Sequence, residues 1–534
     1  MRVSTVPAVR TQATIGISVL LLGLWIAWQL GSKIAAGDLR TLEYAALVIA
    51  GTTVLITTLR DWRKGFYMFL FWLLFEDLVR KYLGNNLVIY FAKDFLVGIV
   101  YLAFFTEVRR GNIKIFRPRF LMFFYPCLVL CIAGMMNPYS PSPLYGLMGL
   151  KLDFYYLPLM FVSYGLIRDD IDLRRFLIFN LMLGLVIGGL GIVQAILGPT
   201  FLNPANMAPE LRDLGEMDRF TPVSNQLLHV PSSVFVSAGR YGQYLVVVFA
   251  IAMGTVGYLL LHSVKRRLLA YLGLFGIVAA TLFCGGRATM AYMLIGFVVL
   301  TVTFLWGAPW KQRRAHKMLK AVGRVFMMAI AAVVLILALF PDEIAPRVAF
   351  YTESFDPSSR GYEVGNRTWD YPIKNLVNAV NQPLWLTGMG LGTASLGTQY
   401  VAKVTGQPQI ENWVEEGYGQ LILELGILAP FLWILWTGAL VIMAFRITRN
   451  LRQTRFFPLA MAISWYAFLL LFPFTYGGLS PYQNFVGNAY FWILVGILCK
   501  LPVLFAQYPT APEAAEAKSR VPVTWAHPHA PQFQ

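Results

Sequence analysis

Arg287, Arg367 and the adjacent pair Glu415 and Glu416 are the residues whose types and positions suit chemistry. Arg287 follows Cys284-Gly285-Gly286 between two apolar runs. An arginine at a membrane edge is costly unless it reaches water or meets an anion, and its planar fork matches phosphate. The plainer role is an interfacial anchor. Arg367 stands in Asn366-Arg367-Thr368-Trp369-Asp370, where a surface ion pair with Asp370 is the alternative. Glu415 and Glu416 close a polar segment just before the chain turns apolar at Tyr418. Neighbouring carboxylates beside low-dielectric surroundings raise at least one pKa, as a general base requires, although a solvated helix start stabilised by its dipole also accounts for them. Arg240, in Gly239-Arg240-Tyr241-Gly242, is a further candidate cation, and Lys151 with Asp153 lies near another outer boundary. Lys93 and Asp94 fall inside an apolar run; adjacent helical residues do not share a face, so they are expected to pair with other helices, as structure or along a path. Trp369, Trp413 and Tyr418, with Tyr371, Trp385 and Tyr400, suit stacking on sugar rings or a place in the bilayer interface.

Other chemistries have no visible apparatus. No Walker-type phosphate loop, His-Glu-x-x-His or Cys-x-x-Cys occurs, and the five histidines lack metal-ligand spacing, so neither a metal nor another cofactor is expected. Gly388, Gly390 and Gly392 form a Gly-x-Gly-x-Gly run outside any βαβ pattern, which reads as a flexible turn re-entering the membrane. The cysteines Cys127, Cys131, Cys284 and Cys499 fall within or at the ends of apolar runs and imply no disulfide framework.

The elements that must position these residues are membrane helices. Of 534 residues 57% are hydrophobic and 13% charged, with mean hydropathy +0.60, which is the composition of an integral membrane protein. Fourteen runs are candidate spans, with twelve as the lower bound, near 14–30, 44–59, 65–84, 87–105, 120–136, 146–167, 176–197, 241–261, 267–284, 288–307, 325–340, 418–444, 456–475 and 485–507. The first reads as an anchor, not a removed signal. Lys and Arg alternate in the connecting segments, and 29 of the 44 fall in those that share a side with the N-terminus. The positive-inside rule then makes both termini cytoplasmic. The expected organisation is a cytoplasmic N-terminus over 1–13, eleven spans over 14–340 with an outer loop near 198–240, one large extracytoplasmic loop over 341–417, three spans over 418–507 and a disordered cytoplasmic tail over 508–534. The same rule accounts for the net charge of +17. The large loop carries nine acidic and five basic residues, which argues against nucleic acid as a partner.

Four stretches in order carry a resemblance: Gly286-Arg287-Ala288 opening a span, Asn366-Arg367-Thr368-Trp369, the run from Gln382 to Gly392, and Glu415 through Leu425-Gly426-Ile427-Leu428. Over roughly residues 230 to 445 the chain resembles the O-antigen ligase and polysaccharide polymerase superfamily of bacterial inner-membrane glycosyltransferases. The resemblance implies a GT-C-like helical enzyme that uses a polyprenyl-diphosphate-linked glycan at the outer face of the plasma membrane. In the ligases two arginines bind the donor diphosphate and a histidine activates the acceptor; the arginines match Arg287 and Arg367, whereas Glu415 stands at the histidine position. That departure favours a chain-elongating polymerase over a ligase that transfers a lipid-linked glycan to lipid A core or protein. Expected partners are the lipid-linked oligosaccharide, membrane lipids, a chain-length regulator and a flippase. A lipid-linked sugar flippase or transporter is the competing class, against which stands the lack of an internal repeat.

Overall fold

In lipid a backbone must satisfy its polar groups within the segment, so apolar runs of this length become helices. The computed structural model describes residues 39–215, 218–261, 267–307, 341–406 and 414–507, with scattered positions between 320 and 338. The expected first span, most of the eleventh, Trp413 and the tail from 508 lie outside the described residues. In chain order the helices are α1 (Leu39–Arg60), α2 (Trp62–Leu83), α3 (Leu87–Arg109), α4 (Leu121–Met135), α5 (Pro143–Phe154), α6 (Leu159–Leu166), α7 (Asp170–Leu197) and α8 (Pro209–Gly215). A hairpin of β1 (Asp218–Phe220) and β2 (Leu227–His229) precedes α9 (Ala238–Leu261), α10 (Arg267–Phe283) and α11 (Arg287–Gly307). After α12 (Pro341–Phe355), α13 (Tyr371–Val380) and α14 (Thr398–Thr405) come α15 (Gly417–Leu425), α16 (Leu428–Asn450), α17 (Phe457–Leu469) and α18 (Phe485–Gln507).

The described chain is an all-α membrane protein. Seven helices among the described residues are long and apolar enough to cross a bilayer: α3, α7, α9, α11, α16, α17 continued to Gly477, and α18. Several other expected spans are short or broken. α4 and the apolar parts of α1 and α10 are shorter than a full crossing. The run 146–167 divides at Tyr155–Pro158 into α5 and α6, and the run 418–444 divides at Gly426, whose φ of 82° ends α15. Helix α2 carries Glu76, Asp77, Arg80 and Lys81 on its last two turns, all buried.

The chain divides into two compact units, Met1–Leu70 with Asp94–Thr106, and Phe71–Lys93 with Glu107–Gln534. In the first, Trp62 meets Phe104 edge-on at 5.1 Å. In the second, α9 and α18 are the most enclosed spans, 89% and 72% buried over their apolar windows, against 22% for α11. Helix α9 approaches α17 closely because it offers glycine there: a Cβ on Gly257 would lie 2.4 Å from Pro458 Cβ.

The large loop is mostly structured. Its glycine run, expected as a flexible turn, is buried and pinned. Met389 and Gly390 donate backbone N–H bonds to Leu423 and Glu424 at 2.7 and 2.9 Å, and Leu391 donates to Gly134 at 3.1 Å. The Glu424 carboxylate accepts from Gly392 at 3.0 Å and Ala394 at 3.1 Å. Gly392 has φ +80°, and a Cβ there would lie 2.0 Å from the Tyr145 carbonyl oxygen, so only glycine fits.

Candidate functional site

The site grows from α12. This helix is held by its own buried Arg347, which donates to the carbonyls of Ala195 (3.2 Å), Phe283 (2.8 Å) and His229 (2.8 Å). Ala195 and Phe283 lie in the last turns of α7 and α10, where orphan carbonyls favour a cation. Anchored in this way, α12 presents Phe350 and Ser354 to Arg287 at the start of α11. The Arg287 guanidinium lies 4.6 Å from the Phe350 ring centroid and donates to Ser354 Oγ at 3.2 Å.

From Arg287 a ladder of alternating charge runs across the loop. Arg287 pairs with Glu363 at 2.7 Å, and Glu363 also reaches Arg367 at 3.9 Å. Arg367 gives one guanidinium nitrogen to both oxygens of Glu415, at 2.9 and 3.1 Å. Arg367 sits on a π-helical turn, Asn366–Asp370, and its guanidinium lies 5.1 Å from the Tyr371 ring centroid. The Tyr476 hydroxyl, beyond α17, donates to the Thr368 carbonyl at 2.9 Å and ties this turn to the segment packed beside Glu415. Its open side exposes Trp369 (67%) and Tyr371 (44%).

A third arginine stands by the ladder. The hairpin register places Arg219 opposite Leu228, on the inward face, and Arg219 donates to the Gly285 carbonyl at 3.3 Å. Burial and the neighbouring Arg287 charge hold the Arg219 pKa below its ordinary value. Asp218 and His229 form their own pair at 2.6 Å, one register step away and on the other face of the hairpin.

Arg287, Arg367 and Glu415, distant in sequence, thus come together, joined by Glu363. The other expected residues do not join them. Glu416 is buried and caps α15, accepting from the backbone N–H groups of Tyr418 (2.8 Å) and Gly419. Burial pushes its carboxyl up to about 7 against those two bonds. Tyr418 is half-buried beside it. Arg240 pairs with Asp77 at 2.8 Å in a separate buried cluster, where Arg80 also meets Asp77 at 3.0 Å and Lys93 meets Glu76 at 2.8 Å. Asp153 is buried and accepts from Gln483 at 3.2 Å; Asp94 is buried as well.

Sequence reasoning did not single out Glu363, Arg219 or Arg347. Glu363 had one signal, its position four residues before Arg367 at the spacing of a helical ion pair. Arg219 and Arg347 had none. Among the described residues no group of three or more His, Cys, Asp or Glu is arranged to hold a metal ion. No protein family model, curated protein or solved structure matches the chain.

Proposed function

We propose that this chain is a polysaccharide polymerase that joins polyprenyl-diphosphate-linked oligosaccharide repeats at the outer face of a bacterial plasma membrane, within a GT-C-like frame of about fourteen spans and with both termini cytoplasmic. The observation that carries the reading is the Arg287–Glu363–Arg367–Glu415 ladder. It has two guanidinium groups and a carboxylate together beside exposed aromatic rings on the large loop, which supports diphosphate binding by the arginines and proton removal by Glu415.

Resting charge at the ladder is two arginines against two carboxylates, with Arg219 adding one positive charge. A donor diphosphate competes with Glu363 and Glu415 for the guanidinium forks. Once the phosphate oxygens take Arg367, Glu415 is released from its two-oxygen contact and faces the acceptor. The acceptor hydroxyl oxygen then attacks the anomeric carbon, the bond from that carbon to the diphosphate oxygen breaks, and the hydroxyl proton passes to Glu415. Arg287 and Arg367 stabilise the charge that develops on the departing polyprenyl diphosphate. A single displacement of this kind inverts the anomeric centre. Trp369 and Tyr371 offer the stacking faces that hold the sugars in line.

The test uses purified protein in lipid nanodiscs with a polyprenyl-diphosphate oligosaccharide repeat, without nucleotide or metal, resolved by gel and mass spectrometry. A ladder of whole repeats with release of polyprenyl diphosphate, lost in Arg367→Ala, is the expected result. Label appearing on lipid A core or protein would identify a ligase. Movement of an intact repeat between leaflets of sealed vesicles would overturn the enzyme reading.

A further inference from the structure

The turn that carries Arg367 runs without a break into α13, and Tyr371 at their junction keeps right-handed helical backbone, with φ −68° and ψ −51°. The two form one rod over 366–380, so whatever fixes α13 also fixes the level of Arg367. Helix α13 has three sides. Pro372 and Ala379 are buried, and Ala379 packs on α15 so tightly that a Cβ added to Gly419 would lie 3.3 Å from it. Tyr371, Asn375 and Asn378 share a second, polar side at helical spacing. Ile373, Leu376, Val377 and Val380 recur at i, i+3, i+4 and i+7 on the third, which is the spacing of an apolar stripe that belongs against a low-dielectric neighbour. Yet Ile373 and Val377 are 49% and 51% exposed.

The stripe leads into the flank of a membrane span. At its C-terminal end Val380 packs on a small buried cluster together with Trp385 and Ile427. One residue beyond Trp385 and one beyond Ile427 stand Leu386 and Leu428, both exposed. The chain at Leu386 presses on the α15–α16 junction, where a Cβ on Gly426 would collide with the Leu386 carbonyl oxygen. From Leu428 the exposed residues Phe431, Leu435 and Ile442 continue along one face of α16, a helix long and apolar enough to cross a bilayer. An apolar strip thus passes from the side of that span, around its N-terminal end, onto α13. Contiguous exposed apolar surface marks contact with protein or membrane, and continuity with the face of α16 selects membrane. Lys374 stands at the border between the apolar and polar sides of α13, where a lysine reaches headgroups while its stem lies along acyl chains.

We infer that α13 docks in the plane of the membrane, its Ile373, Leu376, Val377 and Val380 side sunk into the acyl boundary of the leaflet that meets the N-terminal end of α16. The docked rod then holds Arg367 at the level of the lipid phosphates, where the diphosphate of a membrane-borne substrate arrives by lateral diffusion. That consequence rests on the polymerase reading; the docking does not, and its test needs no substrate. Ile373→Cys, Val377→Cys, Asn378→Cys and Leu386→Cys each carry a nitroxide spin label in the full chain, in phosphatidylcholine nanodiscs. Collision with oxygen, which concentrates in lipid, is compared with collision with a neutral nickel chelate, which stays in water. Cys127, Cys131 and Cys284 are buried and Cys499 partly so, and the unsubstituted chain sets the background. The expected oxygen-to-nickel ratio is about tenfold higher for Ile373→Cys and Val377→Cys than for Asn378→Cys, as befits a side sunk ~5–10 Å, with Leu386→Cys following the first two. Leu376→Cys replaces either apolar helix variant if it does not fold. Equal nickel access on both sides would show a solvated helix and overturn the docking. Low collision with both reagents at Ile373 and Val377 would show a face covered by a second copy or by other parts of the chain, and would overturn it equally. If the ratio holds while the turnover assay yields no polymer, the docking stands and the role given to Arg367 falls.

Discussion

Replacing Glu363 by Gln separates a ladder that competes with phosphate from one that merely braces the loop. Glu363 contacts Arg287 at 2.7 Å and Arg367 at 3.9 Å, with about a third of its side chain exposed. Pairs exposed to this degree are worth roughly 0.5–1 kcal/mol each, far below the unscreened Coulomb figure. An incoming diphosphate must overcome both contacts, so neutralising Glu363 strengthens its binding by about 1–2 kcal/mol, or roughly 5- to 30-fold in Kd. The amide keeps the shape and removes the charge. The assay is isothermal titration of inorganic pyrophosphate into purified protein in nanodiscs at low ionic strength, repeated at high salt, where the gain shrinks. Arg367→Ala is the control and is expected to abolish the heat. Unchanged or weaker pyrophosphate binding in Glu363→Gln, with the melting temperature preserved, would refute the competition and leave Glu363 a brace.

Glu416 makes stability depend on pH. Its folded pKa of about 7 lies above the ordinary value of a glutamate carboxyl, so the folded state holds the proton more tightly. Stability is therefore greatest below about 4.5 and falls as pH rises through about 7, by on the order of 2–3 kcal/mol; equilibrium unfolding of Glu416→Gln should lose this slope, and an unaltered slope would contradict the burial argument. Gly392→Ala forces a Cβ against the Tyr145 carbonyl at a positive φ and should cost about 2 kcal/mol or more, read as a lowered melting temperature. Arg240→Ala leaves the buried Asp77 with Arg80 and the Val236 backbone N–H as partners and should cost roughly 3 kcal/mol of stability, while Arg240→Lys recovers part of it. A neutral Arg240→Ala would mean that the cluster is open to water.

The membrane class was legible in the sequence, because hydropathy reports burial in lipid directly, and Arg287, Arg367 and Glu415 stood out as candidates by residue type and position. Their meeting was not legible. It depends on Arg347 stapling α12 to the ends of α7 and α10 and on Glu363 bridging two arginines, and of these contacts only the four-residue spacing of Glu363 and Arg367 is visible in the sequence. Arg240 resembled Arg287 in sequence, each beside glycine at a span boundary; its partner Asp77 lies in α2, where hydropathy sees a span and not the four charges within it. The runs 146–167 and 418–444 read as uninterrupted in the sequence, whereas the helices break at Tyr155–Pro158 and at Gly426, since apolar residues continue on both sides of each break. The glycine run looked mobile by composition, whereas Glu424, hidden in an apolar stretch, holds it fast.

The π-helical turn under Arg367 contains, in effect, one residue more than an α-helical path between the same ends. Deleting a single residue there allows the backbone to relax into α-helix without any break, and each residue accounts for about 100° around the helix axis. The change would swing the guanidinium relative to Tyr371 and Glu415 while leaving composition, hydropathy and helix boundaries almost untouched. Spacing within Asn366–Asp370 is thus a register setting: two chains equal in every residue type but differing by one position here would fold alike and aim their arginine differently.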